Sequence, residues 1–189
     1  MLWLLSLLTT FTAVFAADIN TLMYDVGNLT ANVNALDSLV VNFKHGFFND
    51  IVPLIKLQNA AVDLGSEIQS VTNDFNNTAQ LDAQDTLAIA TPLANIVSPL
   101  QKVLTDINNA KPQFDKAILD FLSASCIIKG HVAHLQKVTD QLINQVEITI
   151  YPPFAGVIGP LKQQVDDAFK ATLNGPYAKV VALYIPFKL

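Results

Sequence analysis

The chain contains no arginine, a single cysteine and few charged residues of any kind. Only 14% of its 189 residues are charged, and the formal net charge is −5. Nucleic-acid-binding surfaces rely on bidentate arginine contacts and a positive field, so both features argue against such a partner. Cys126 has no second cysteine to pair with, which excludes an internal disulfide framework. Stability must therefore come from the packing of apolar residues, which make up 51% of the chain.

The sequence also lacks the short motifs that carry common chemistries. It has no nucleophile elbow (G-x-S-x-G), zinc-protease H-E-x-x-H, phosphate-binding P-loop or dinucleotide-binding glycine pattern. Cys126, His131 and His134 share one predicted helix, but a metal centre needs three ligands that converge, and these offer no third ligand on the same face. We therefore predict a protein that is not an enzyme and that holds no metal or cofactor.

The first residues are typical of a targeting segment. Residues 1–16 form an apolar run too short to span a membrane, and they end in the small-x-small pattern Val14-Phe15-Ala16. We expect cleavage there and secretion of the mature chain. Asn28 and Asn76 begin N-glycosylation triplets, although a chain this rich in Asn and Thr also produces such triplets by chance.

The clearest structural signal lies between Ile19 and Phe43. Apolar residues recur there at alternating intervals of three and four, at Ile19, Leu22, Val26, Leu29, Val33, Leu36, Val40 and Phe43. This spacing places all eight side chains on one stripe of a single helix. Period-two alternation is absent, so the stretch does not predict a strand.

The rest of the chain predicts four more amphipathic helices with the same rhythm. We place the first three of these at residues 51–75, 82–107 and 112–150, and the last after Gly159-Pro160, ending at residue 173. Pro92 and Pro99 lie on one face of the third helix and predict a kink, because each removes a backbone hydrogen bond. Pro112 stands at a first helical position and predicts the start of the fourth helix.

Five such helices with short connections predict an all-α, up-and-down bundle that occupies residues 17–175. The tail, 176–189, is short and apolar and cannot be assigned from its pattern. It lacks the polar spacer and long apolar stretch of a lipid-anchor signal, so we expect it to be retained. We expect no transmembrane anchor in the mature chain.

Several segments of the chain carry a family resemblance through their order and spacing. They are Ala35-Leu36-Asp37, Val40-Val41 with Phe43, Pro53-Leu54 with Ala60-Ala61, Leu81-Asp82 with Asp85, Pro92-Leu93, Pro99-Leu100 and 111–117. From about Asp18 to Gly175 the chain resembles the fungal hydrophobic surface binding protein A family, which includes cell wall galactomannoproteins. None of these segments is a catalytic motif. The tail after Pro176 departs from the family pattern.

The resemblance implies a secreted, non-enzymatic fungal protein that binds a fatty acid or another apolar ligand inside the bundle. We expect the acyl chain between the first four helices. The residues predicted to line it are Val26, Leu29, Val33, Leu64, Ile68, Val97, Leu100, Phe121, Leu122, Ser125 and Leu135. The Ser125 hydroxyl either donates to the ligand carboxylate or bonds back to the carbonyl of residue 121.

Two other functions remain compatible with the same stripes. The resemblance also implies proteins that adsorb to hydrophobic surfaces and recruit polyester-degrading enzymes, with helices that hinge apart at the surface. A third interpretation is a structural cell wall glycoprotein with a fully packed core. The sequence does not choose among these three, because core-packing and cavity-lining residues are of the same types.

Overall fold

The computed structural model describes residues 18–44, 51–119 and 122–188, with the backbone alone at 118, 119 and 122. The predicted targeting segment, 1–16, lies outside the described residues. The elements in chain order are α1 (Ile19–Val41), α2 (Ile51–Asn77), α3 (Ala83–Lys116), β1 (Ile118–Leu119), β2 (Leu122–Ser123), α4 (Ala124–Thr149), a 3₁₀ turn (Pro152–Phe154) and α5 (Ala155–Leu173). The predicted all-α bundle of five helices is confirmed.

Helix α1 buries the stripe that its sequence predicts. The Asp18 carboxylate caps the helix by accepting a hydrogen bond from the Thr21 backbone N–H at 2.8 Å. The stripe residues buried within the helix are Leu22, Val26, Leu29, Val33, Leu36 and Val40. Phe43 follows just beyond the helix and contacts the ring of Phe114, with 4.7 Å between the ring centroids.

The helices surround a common apolar core. Helix α1 packs mainly against α3 and α2, α2 packs against α4, and α5 packs against both α3 and α4. These pairings give the cyclic order α1, α2, α4, α5, α3 around the core. Helices α1 and α3 run in the same direction, because the end of each meets the other at Phe43 and Phe114.

The predicted boundary between the third and fourth helices is wrong. Helix α3 continues through Pro112 to Lys116, and α4 begins only at Ala124. Because the helix continues, Phe114 stays on the apolar stripe and is fully buried. The burial of this phenylalanine offsets much of the cost of a proline within a helix. Pro160 likewise lies inside α5, which begins earlier than predicted. The kink predicted at Pro92 and Pro99 stays a prediction.

A short hairpin replaces the predicted turn before α4. Strands β1 and β2 pair antiparallel over two residues each, which is too short for any periodic pattern to predict. Ser123 connects the two helices, since its hydroxyl donates to the Phe114 carbonyl at 3.2 Å and accepts from the Ser125 N–H at 3.2 Å. The end of α3 is thereby held against the start of α4.

Among the described helices, α3 is the one long and apolar enough, by length and composition, to cross a membrane. In the bundle this helix packs against α1 and α5, and 28% of its most apolar window is buried.

The unassigned tail is part of the fold. Residues Pro176–Lys188, which we call the strap, leave the end of α5 and lie on the bundle. Tyr177 is fully buried, and its hydroxyl donates to the Ile107 carbonyl on α3 at 3.2 Å. Burial raises the pKa of the Tyr177 phenol far above its ordinary value.

The cap of α3 provides a direct test of how the helix begins. The Asp82 carboxylate accepts hydrogen bonds from the backbone N–H groups of Gln84 and Asp85, at 2.8 and 2.9 Å. Asp82→Ala should lower the free energy of unfolding by about 1 kcal/mol, measured by urea denaturation. Asp82→Asn keeps the acceptor oxygen and should lose less. Equal losses in the two variants would contradict the cap.

Candidate functional site: an apolar cavity beneath α5

An apolar cavity of about 80 Å³ lies between α3, α4 and α5. Three helices contribute its walls, and all but one of the lining side chains are aliphatic. The lining residues are Leu93, Ile96, Val97 and Leu100 from α3, Thr139, Leu142, Ile143 and Val146 from α4, and Ile158, Leu161 and Val165 from α5.

Of the helices around this cavity, α5 buries the fewest side chains. It buries Ile158, Val165, Phe169 and Thr172, whereas α4 buries residues along its whole length. Phe169 is the one aromatic residue in this set, and it lies beyond the cavity toward the C-terminal end of the helix. The wall that the first half of α5 contributes is therefore made of branched aliphatic side chains alone.

Thr139 places one hydroxyl among these aliphatic groups. Its side chain is 7% exposed, and within the described residues its Oγ1 has no hydrogen-bond partner. A buried hydroxyl without a partner costs roughly 1–3 kcal/mol, so this side chain destabilises the fold. Sequence reasoning missed Thr139, because the neighbouring Val138 continues the apolar stripe of α4.

Charged groups meet on the seam between α4 and α5, next to the cavity. The Lys162 ammonium lies 3.6 Å from an Asp140 carboxylate oxygen and 3.9 Å from one of Asp166. Burial and a hydrogen bond with Asp166 raise the pKa of Asp140, against the opposing effect of Lys162. Lys162 directly follows the lining residue Leu161, so a positive charge lies near the edge of the apolar space.

The structure brings only part of the predicted lining together at this cavity. Val97 and Leu100 line it. The predicted residues that instead pack in the core outside the cavity wall are Val26, Leu29, Val33, Leu64, Ile68 and Leu135. Phe121 lies outside the described residues, and only the backbone of Leu122 is described. The cavity thus lies under the fifth helix and not among the first four.

The Ser125 hydroxyl bonds to neither of the two partners predicted for it, a ligand carboxylate or the carbonyl of residue 121. It donates to an Asp115 carboxylate oxygen at 2.6 Å, which joins the start of α4 to the end of α3. Burial raises the pKa of Asp115, but the hydrogen bonds from Lys111 and Ser125 outweigh it, so that the pKa lies below its ordinary value. The Ser125 hydroxyl is thus engaged in a structural contact away from the cavity.

The described residues contain no group of three His, Cys, Asp or Glu side chains that could hold a metal ion. His131 and His134 instead contact Tyr184 of the strap, at ring-centroid distances of 5.2 and 4.3 Å.

The unpartnered hydroxyl predicts opposite effects for two matched substitutions. Thr139→Val should raise the free energy of unfolding by about 1 kcal/mol, because it removes a buried group that lacks a partner. Thr172→Val should lower it by about 1 kcal/mol, because the Thr172 hydroxyl accepts from Asn108 at 3.1 Å and donates to the Ala168 carbonyl at 3.2 Å. Urea denaturation measures both changes, and a loss of stability in Thr139→Val contradicts the assignment.

Solved structures of similar fold come from fungal proteins with bound fatty acids. AFMP4P in complex with palmitic acid matches with a TM-score of 0.76 and 22% identity, over 82% of this chain and 97% of that chain. Ligand binding domain 1 of the Penicillium marneffei MP1 protein, complexed with arachidonic acids, matches with a TM-score of 0.71 and 12% identity, over 85% and 98% of the two chains. Domain 2 of the same protein, complexed with multiple arachidonic acids, matches at 0.66 and 13%, over 86% and 97%. At these identities the likeness establishes the fold.

A comparison with curated proteins found no match. The family model of hydrophobic surface binding protein A matches residues 15–147, which is more than half of the chain. The strap lies beyond the matched region. The chain belongs to the hydrophobic surface binding protein A family.

Proposed function

We propose that this chain is a non-enzymatic carrier that binds a long-chain fatty acid in the cavity beneath α5. The observation that carries the proposal is the cavity itself, an aliphatic space with one unpartnered hydroxyl at Thr139. Two kinds of comparison support it. The family is named for hydrophobic surface binding, and the similar structures contain palmitic and arachidonic acids.

Burial of the acyl chain supplies enough free energy for useful affinity. A sixteen-carbon chain at ~0.8 kcal/mol per methylene gives on the order of 10 kcal/mol before ordering costs. Micromolar binding requires about 8 kcal/mol, so the binding energy leaves a small surplus for rearranging the protein.

Rearrangement is required, because the cavity is smaller than the ligand. Its volume of about 80 Å³ is less than the roughly 150 Å³ that holds a benzene molecule in an engineered core. Binding sites for small ligands measure roughly 300–1,000 Å³. Displacement of α5 provides the missing space at the least cost, because this helix buries fewer side chains than α4 does.

Polar groups near the cavity suit the carboxyl end of such a ligand. The Thr139 hydroxyl donates to a ligand oxygen, which removes the cost of leaving it unpartnered. Lys162 lies at the seam and pairs with the carboxylate as α5 moves, in exchange for its longer contacts with Asp140 and Asp166.

Secretion and glycosylation complete the proposal. The predicted signal segment, 1–16, directs the chain out of the cell and is removed, which leaves a domain that includes the strap. Asn76 is exposed near the end of α2 and suits glycan attachment, whereas Asn28 is half-buried within α1.

A matched pair of tryptophan substitutions on α4 tests the site. Ile143 lines the cavity, while Ile148 is 69% exposed one turn further along the same helix. Ile143→Trp fills the space and should weaken palmitate binding at least about tenfold, which is ~1.4 kcal/mol. Ile148→Trp should bind as the parent does. Isothermal titration calorimetry on folded proteins measures both affinities.

Two results would contradict the carrier proposal. One is a parent protein that takes up no fatty acid and shows a bare mass by native mass spectrometry. The other is an Ile143→Trp variant that stays folded and binds palmitate with unchanged affinity, which would place the ligand elsewhere.

A second candidate function, adsorption to hydrophobic surfaces, has its own structural support. One end of the bundle is formed by the start of α1, the end of α2, the start of α3, the end of α4 and the start of α5. Contacts such as that from the Leu81 N–H to the Thr149 carbonyl, at 2.8 Å, hold these segments together. The exposed apolar side chains of this apolar end are Met23, Tyr24, Leu87, Ile148, Tyr151 and Val157.

The charges at the apolar end favour an uncharged target. No lysine occurs in residues 1–43, 57–101 or 138–161, which supply all of this end. Carboxylates occur there instead, and burial together with Asp74 and Glu67 raises the pKa of Asp25. An anionic bilayer would be repelled, whereas wax or polyester carries no charge to oppose contact.

Adsorption to an uncharged polyester film provides the test of this second function. The double variant Tyr24→Ser with Ile148→Ser should lose most of the adsorbed mass in a quartz crystal microbalance, because it removes exposed apolar area at the apolar end. The double variant Ile51→Ser with Val52→Ser removes exposed aliphatic area at the opposite end and should adsorb normally. Equal losses in the two variants, or desorption at high salt, would exclude the apolar end as the contact.

A further inference from the structure

The strap crosses the outer face of α4, where backbone groups of the strap form hydrogen bonds with that helix. The Leu183 N–H donates to the Cys126 carbonyl at 2.8 Å, and the Lys129 ammonium donates to the Val180 carbonyl at 2.7 Å. Both partners on α4 belong to its first two turns, on the side away from the core. The strap therefore begins at α5 and is fastened to α4.

The strap ends on α2, on the far side of α4. The buried Gln58 side chain donates to the Phe187 carbonyl at 3.0 Å. The Lys188 ammonium lies 2.6 Å from an Asp63 carboxylate oxygen. Thirteen residues, 176–188, thus join α5 to α4 and α2 across the surface of the bundle.

Helix α4 has a glycine at the point where the strap passes. A Cβ at Gly130 would collide with the Leu183 carbonyl and lie 2.6 Å from the Tyr184 backbone nitrogen. Glycine within a helix costs roughly 1 kcal/mol relative to alanine. The helix therefore carries a destabilising residue where the strap needs the space.

The strap also covers the pair His131 and His134. Tyr184 stacks on His134 and meets the edge of the His131 ring. His131 is 3% exposed, and within the described residues neither of its ring nitrogens has a partner. Burial, together with the charge of His134, lowers the pKa of His131 to about 4. Lifting the strap would let water reach these nitrogens, so closure has a cost that offsets part of its hydrogen bonding.

Beyond its anchor at Tyr177, the strap lies on the surface of the bundle. Tyr177 is fully buried against α3, whereas Val181, Leu183, Tyr184 and Phe187 are between 37% and 78% exposed. Val180 and Ile185 are partly buried against the core, but no described residue of the strap beyond Tyr177 is fully buried, and such a segment opens locally at a lower cost than the core does. Release beyond Tyr177 leaves α5 fastened to α3 and free to move away from α4.

We propose that the strap is a latch that holds α5 against α4, and that its release opens the α4–α5 seam to the cavity for an acyl chain. This inference rests on the proposed fatty-acid function for its ligand, but the latch itself is a property of the protein alone. The cavity lies beneath this seam, and Lys162 with Asp140 is the one other charged contact across it among the described residues.

Gly130→Ala tests the latch with little risk to the fold. The added Cβ excludes the strap from α4, while alanine strengthens the helix. Amide hydrogen exchange in the strap and in α5 should rise, and the association rate of a fluorescent fatty acid should increase at least about fivefold. Gly27→Ala on α1 is the control, since nothing lies within 4 Å of its added Cβ and neither quantity should change. A chain that ends after Lys179 keeps Tyr177 and should behave as Gly130→Ala does.

The outcomes separate the latch from the carrier function. Unchanged α5 exchange in both Gly130→Ala and the shortened chain overturns the latch, whatever the parent binds. Faster α5 exchange with an unchanged association rate also overturns it as a gate for entry. If the parent binds no fatty acid, the carrier proposal fails, and α5 exchange alone then decides whether the strap restrains that helix.

Discussion

The burial of uncharged aliphatic side chains is the interaction on which this bundle depends. The chain has one cysteine, which is free. An ion pair such as Lys102 with Asp37 has its lysine 60% exposed, and pairs of that kind contribute roughly 0–1 kcal/mol. Apolar burial at about 25 cal/mol per Å² supplies the rest. Such a core imposes few directional requirements on the helices that form it.

That freedom connects the fold to the proposed function. A ligand made of methylenes offers the separated helices the same kind of contact that they lose when they part. Helix α5 is the natural element to move, because it packs on the rim of a core that the other four helices already form. Thr139 gives the cavity a single polar group, which lacks a hydrogen-bond partner among the described residues.

The sequence predicted the features that periodic burial determines. The stripe from Ile19 to Phe43 specifies a helix face, and the structure buries it as expected. Prolines were less informative than the stripes. Pro112 and Pro160 lie inside helices, because the burial of neighbours such as Phe114 offsets much of the free-energy cost of a proline within a helix.

The cavity and the strap could not be predicted, for different reasons. Leu100 lines the cavity and Leu29 packs in the core, yet the two have the same side chain, and only helix positions separate them. The strap is held largely through backbone carbonyls, such as those of Val180 and Phe187, which leave no pattern in side-chain type. Gly130 was recognisable as a helix-weakening residue, but its reason appears only when the strap is seen to cross it.

The central claim is that the ligand occupies the space beneath α5. Nuclear Overhauser contacts between isotope-labelled palmitate and the methyl groups of the protein measure this position directly. A ligand bound in the cavity should give contacts to Leu93, Ile143 and Ile158, on the three helices that line it. Contacts to Val26 and Leu64 instead, between α1 and α2, would contradict it.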